Sequence, residues 1–122
     1  MNKVSNKFAL DKSSLEFFLA AQCTKYNKIA YFSSIDYDFD DIKNKLLKIN
    51  PKLNVIEFPS FDCFFFSNLS PTNKNKSDRI NCLHNLVFSD LSDNIIISSL
   101  KAITTYTINI ETVKKFQLAI SN

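Results

Sequence analysis

Cys82-Leu83-His84, with Cys63 upstream, brings together the residue types that hold zinc or form a thiol nucleophile. The spacing argues against both. Residues two apart on a helix point nearly opposite ways, so Cys82 and His84 cannot easily share one ion, and the usual C-x₂-C pairs are absent. A Cys-His nucleophile has the same weakness, with no oxyanion donor or orienting group identifiable. Cys82 therefore reads as helix packing and His84 as partly exposed. Asp36, Asp38, Asp40 and Asp41 mimic part of a calcium loop. Such a loop needs glycine at its sixth position and a bidentate glutamate at its twelfth, where this chain has Asp41 and Leu47. Helix capping is the better account. The run Phe64-Phe65-Phe66 has the composition of a stacking platform for single-stranded bases. Three adjacent aromatics in a loop cannot all point inward, and the nearby basic residues are only Lys74, Lys76 and Arg79, so a packing or domain-contact role is favoured.

Glycine decides more than any of these. The 122 residues contain none, where an average composition of about 7% would supply eight or nine. Walker A loops, dinucleotide fingerprints and the G-x-S-x-G elbow all need it, because their backbones take positive φ angles or approach phosphate closely. Asp11-Lys12-Ser13 precedes the first expected helix where a phosphate loop would end in Gly-Lys-Ser, but the segment before it carries side chains throughout and an acid at Asp11. No expected strand ends in the acidic pair of a Walker B. No nucleotide, metal or other cofactor is expected in this chain.

The elements that must position these residues follow from periodicity. Residues 1–12 are polar and lysine-rich, an expected loose lead-in, and residues 13–122 are expected to form one α/β domain. Ser13 and Glu16 have capping-box spacing, and Leu15, Phe18 and Leu19 mark one face of a first helix. Ile29 to Phe32 reads as a buried strand. The acidic cluster opens a second helix with an apolar stripe of Phe39, Ile42, Leu46 and Ile49, stopped at Asn50-Pro51. Leu53 to Phe58 is a second strand, and Ser60 to Ser77 the longest irregular stretch. A third helix is expected from Asp78, with Ile80, Leu83 and Val87 on one face. Ile95-Ile96-Ile97 is the clearest strand, being β-branched and unbroken. A short Leu100 to Ile103 turn follows, then a last strand over Lys115 to Ile120. Continuous apolar strands alternating with amphipathic helices predict an α/β fold, a parallel sheet with helices on both faces and right-handed crossovers.

The net charge of +3 and pI near 8.7 come from scattered basic residues, short of the patch typical of a nucleic-acid module. Three cysteines without a regular framework read as reduced thiols of a cytoplasmic protein. The N-terminus lacks the apolar stretch of a signal peptide, and no apolar run approaches the ~20 residues of a membrane span.

Four motifs in order carry a family resemblance: Phe58-Pro59-Ser60-Phe61-Asp62, Leu69-Ser70-Pro71, Arg79-Ile80 with Leu83 and Leu86, and Ile95-Ile96-Ile97-Ser98-Ser99-Leu100-Lys101-Ala102-Ile103. From about Ser14 to Asn122 the chain resembles the N-terminal part of the bacterial transcription-repair coupling factor, the first half of a module similar to the excision-repair subunit UvrB. Phe61 stands where that family usually has Trp, Phe65 where it has Pro, Phe66 where it has Tyr, and Ser67 replaces a usual acid. The resemblance implies a degenerate RecA-like, P-loop-type half-domain without its phosphate loop, and a structural role for Phe58, Pro59, Phe61, Asp62, Ser70, Pro71, Arg79, Leu83 and Ala102. It further implies a non-catalytic scaffold that supports recruitment of the damage-recognition ATPase UvrA through an adjacent subdomain. ATP, magnesium, DNA and RNA polymerase would belong to distant domains of the parent, an ATP-dependent DNA translocase. The expected contact loop comprises Phe64, Phe65, Phe66, Leu69, Lys74, Lys76 and Arg79. Two rival expectations are a standalone nucleic-acid or protein-interaction module built on residues 64–79, and a small thiol enzyme built on Cys63 or Cys82.

Overall fold

The computed structural model describes residues 9, 11, 14–35, 39–64, 68–88 and 94–117. Ser13, Asp36, Asp38, Phe65, Phe66 and Ser67 lie outside them, as does most of the expected lead-in. The described elements run α1 (Leu15–Cys23), β1 (Lys28–Ser33), α2 (Asp40–Ile49), β2 (Asn54–Phe58), α3 (Asn73–Phe88), β3 (Asn94–Ser99), α4 (Leu100–Thr104) and α5 (Ile110–Gln117). The three strands form one parallel sheet in the order β1-β3-β2. The fold is α/β.

The chain crosses from β1 past the position of β3 to β2, then returns to fill the middle. Two crossovers of one hand that run in opposite directions place their helices on opposite faces. That is the arrangement here, and the alternation along β2 displays it. Val55 joins Leu19, Cys23, Phe39, Ile42, Leu46, Ile95 and Ile97 in a core beneath α1 and α2. Its neighbour Ile56, with Phe58, joins Cys82 of α3 and Ala102 of α4 in a second core. The register Val55↔Ile95 and Ile56↔Ile96 keeps like faces together. β3 occupies the centre because it is the most apolar strand, and Ile95 and Ile97 are fully buried.

β1 differs from the buried strand expected of it. Ile29 and Tyr31 pack toward α1 and α2, but Lys28, Ala30 and Phe32 on the other face are exposed. β1 is an edge strand, and the second-face helices pack on β2 and β3. The start of α1 is also corrected. Ser14 occupies the N-cap with no side-chain capping bond. Glu16 is buried and bonds Lys45 Nζ of α2 at 3.2 Å, while Lys45 also meets Asp41 at 2.7 Å. Those two carboxylates, Asp41 first, push the Lys45 ammonium pKa upward.

α2 matches its stripe at Phe39, Ile42 and Leu46, and Asn50 ends it in an extended conformation. α3 begins at Asn73, ahead of Asp78, because Thr72 caps it. The Asn75 amide donates to Thr72 Oγ1 at 3.2 Å and the Lys76 amide to Thr72 O at 3.0 Å. The polar opening Asn73-Lys74-Asn75-Lys76 has a loop's composition and a helix's cap. The strand expected over Lys115 to Ile120 is overturned in its described part, since residues 110–117 are helical; residues 118–120 lie outside the described residues. Asn109 starts that helix, accepting the Glu111 amide on Oδ1 at 3.1 Å and the Val113 amide on its carbonyl at 3.1 Å. Glu111 in the first turn and Lys114 and Lys115 in the last complement the helix dipole. Among the described residues, no helix is long and apolar enough to cross a membrane.

Candidate interaction site at the carboxyl end of the sheet

Parallel α/β sheets present their functional loops beyond the carboxyl ends of the strands. At the end of β2, the chain from Phe58 to Asp62 is tied to α3 and α4 through one side chain. Arg79 is only 4% exposed. Its guanidinium donates to Pro59 O (2.6 Å), Ala102 O (3.3 Å), Thr105 Oγ1 (3.2 Å) and Tyr106 O (3.4 Å). The rings of Phe58 and Phe61 lie 4.2 and 4.3 Å from it. A planar cation can bond acceptors in its plane and stack aromatics on its faces together, which an ammonium cannot. Burial lowers the Arg79 pKa, but an arginine stays charged at any physiological pH.

Neighbouring bonds complete the joint. Asp62 accepts the backbone amide of Thr72 at 3.1 Å and the Thr72 hydroxyl. These bonds, chiefly the hydroxyl's, hold the Asp62 carboxyl below its usual range. Asn75 Nδ2 donates to Ser60 O at 2.8 Å. The buried Ser98 hydroxyl donates to Phe58 O at 2.8 Å, and Ser99 caps α4 by accepting the Ala102 amide at 3.2 Å. Residues far apart in sequence thus converge: Phe58, Pro59, Phe61, Asp62, Arg79 and Ala102 form one joint, with Leu83 packed against its apolar side.

Beside the joint opens a groove of about 540 Å³, lined by Phe61, Cys63, Phe64, Leu69, Pro71, Lys76, Lys101, Thr104 and Thr105. Phe64 is 82% exposed and Leu69 72%. Ser70, Lys74 and Lys76 are exposed, and Pro71 is half-buried. The structure therefore divides the expected contact loop. Phe64, Leu69, Lys74 and Lys76 stand at the surface, whereas Arg79 is corrected from a contact residue to an interior one. Its terminal amino groups bond the chain's own acceptors, and the Phe58 and Phe61 rings lie against it. No local signal distinguishes such an arginine, because its acceptors lie 20 to 27 residues away.

No family model, curated protein or solved structure matches the chain.

A second crevice, of about 810 Å³, lies at the carboxyl end of β1, with Leu100 beyond β3 on its wall. This is the switch point of the strand order, where the connections from β1 and β3 leave toward opposite faces. Among the described residues its wall carries Asp11, Glu16 and Asp41 against Lys45, a balance unfavourable to a phosphate. Asp40 and Asp41 sit in the first turn of α2. Among the described residues, no group of three or more His, Cys, Asp or Glu side chains could hold a metal ion.

Cys82 is buried and its thiol pKa is pushed up to about 11 by burial. That is the opposite of what a nucleophile needs. His84 is exposed, with its ring 4.6 Å from that of Phe88. Cys63 is half-buried in the groove wall and Cys23 is buried. Cys82 and Cys23 are expected to alkylate with iodoacetamide at pH 8 at least about tenfold more slowly than Cys63, because the reactive form is the accessible thiolate. Peptide mapping after timed quenching reads the order, and Cys82 reacting first would refute the geometry. Because the raised pKa keeps Cys82 protonated in the folded state while the unfolded thiol ionises from about 9, its contribution makes stability fall between pH 9 and 11.

Proposed function

We propose that this chain is a non-catalytic scaffold that presents a loop and groove at the carboxyl end of its sheet to a protein neighbour. The joint around Arg79 carries this reading. The polar groups that could have met a small substrate there bond instead to the chain's own backbone, and what they hold in place is a largely apolar surface. The acidic balance of the switch-point crevice supports it, since a triphosphate would face more carboxylates than cations. The absence of glycine from the sequence supports it too.

On the resemblance of its motifs, the neighbour would be the remainder of a transcription-repair coupling factor, and the chain the leading half of its UvrB-like module. UvrA would then be reached through the adjacent subdomain, and ATP, magnesium, DNA and RNA polymerase through more distant ones. The site of action would be the cytoplasm.

Calorimetric titration of the chain with MgATP tests the scaffold reading. The expected result is no saturable heat. Saturable binding in the micromolar range would overturn it, because a chain that binds ATP that tightly has a nucleotide site.

A further inference from the structure

We infer that the groove between the β2–α3 loop and α4 is a docking site for an extended acidic segment of a partner protein, seated by one large apolar side chain. The inference rests on the scaffold reading and names the chemistry of its partner. The groove's volume of about 540 Å³ falls in the range that takes a bulky side chain or small ligand, roughly 300–1,000 Å³. Phe61, Phe64, Leu69 and Pro71 line it, and Phe64 and Leu69 are largely exposed.

Charge sets the class of occupant. Lys76 of α3 and Lys101 of α4 both line the groove, and Lys74 is exposed one turn-start away on α3. One acid stands nearby: Asp62, held ionised by Thr72 and by the charge of Lys76, offsets one of these three ammoniums and leaves the rim net cationic. An apolar floor with a cationic rim complements a segment in which carboxylates flank a leucine or phenylalanine. A nucleic-acid strand fits less well. Arg79, the local guanidinium, is buried, one face of the Phe61 ring is covered by it, and Phe64 alone of the described groove aromatics is largely exposed. Strand binding without sequence preference needs several open ring faces along a cationic track.

Fluorescence anisotropy on the full chain tests this with three labelled probes. One is a short peptide with Leu-Phe flanked by aspartates and glutamates, one is its lysine-flanked counterpart, and one is oligothymidylate. Saturable binding of the acidic peptide, at least about tenfold tighter than its lysine counterpart, is expected. Lys76→Glu with Lys101→Glu is expected to abolish or reverse that preference, and Leu69→Ser to weaken the acidic peptide severalfold. The milder pair Lys76→Gln and Lys101→Gln, checked for an unchanged melting transition, serves if the charge reversal unfolds the protein. Equal binding of the two peptides would overturn the inference by removing the role of charge. Tighter, steeply salt-dependent binding of oligothymidylate would overturn it in favour of a nucleic-acid groove. Binding of none of the probes would overturn it while leaving the scaffold reading standing, since that reading is tested separately by ATP binding and by the Arg79 joint.

Discussion

Arg79→Ala is expected to destabilise the protein by about 3–4 kcal/mol, a loss far beyond that of an ordinary surface arginine. The truncation leaves the carbonyls of Pro59, Ala102 and Tyr106 and the Thr105 hydroxyl without this donor. Ala102 O keeps the Thr105 hydroxyl as a donor, so the loss falls mainly on the part-buried Pro59 and Tyr106 carbonyls, at roughly 1–3 kcal/mol for each bond to a charged donor. The Phe58 and Phe61 rings lose their cation as well. Against this stands the relief of a desolvated guanidinium, which keeps the net below the sum of the parts. Thermal unfolding reads the result: at about 3–6 °C per kcal/mol for a domain of this size, the midpoint falls by roughly 10–25 °C. Arg79→Lys should recover less than half, because a point charge cannot reach four acceptors while stacking on two rings. A midpoint unchanged within about 2 °C would mean that Arg79 is a surface residue. The nucleic-acid reading of residues 64–79 would then regain its main phosphate ligand.

Leu46→Ala carries the second large effect, about 3 kcal/mol, and Ile49→Ala supplies its control. Both residues belong to the apolar stripe of α2. Leu46 is fully buried in the core beneath α1 and α2, whereas Ile49 is 38% exposed near the helix end. Removing a leucine from a closed core forfeits its transfer energy and leaves a cavity that the surroundings only partly fill, for a total of about 2–5 kcal/mol. At Ile49 solvent takes the vacated space, and the loss should stay under about 1 kcal/mol. Urea unfolding of the two variants gives the comparison directly. Equal losses would require α2 to be rotated from its position in the structure.

Much of the architecture is legible in the sequence, and the reason is local. The i, i+3, i+4 spacing of Phe39, Ile42 and Leu46 announces a helix whose face needs cover, and the acids at Asp40 and Asp41 announce its start. Three consecutive isoleucines at 95–97 favour a strand buried on both sides. Strands of that kind alternating with amphipathic helices leave a parallel sheet as the natural packing. The misreadings are local as well. The start of α3 and the whole of α5 depend on the caps at Thr72 and Asn109, polar residues in segments whose composition reads as loop or alternating strand. An Asn followed by Glu111 and, later, paired lysines was a usable signal for α5.

Tertiary structure alone decided the rest. The order β1-β3-β2 makes β1 an edge and leaves Phe32 exposed, though its sequence is as apolar as a buried strand's. Glu16 has the spacing of a capping-box acid and the position of a buried partner for Lys45. Arg79 is the sharpest case. Its residue type and its neighbours Lys74 and Lys76 mark it as surface charge, yet acceptors 20 to 27 positions away converge on it once the strands are in place. Periodicity and capping reside within a few residues, so the sequence by itself determines which elements form and which faces they bury. Whether a polar side chain meets water, a partner or its own backbone depends on segments distant in the chain, and only the assembled sheet brings those together.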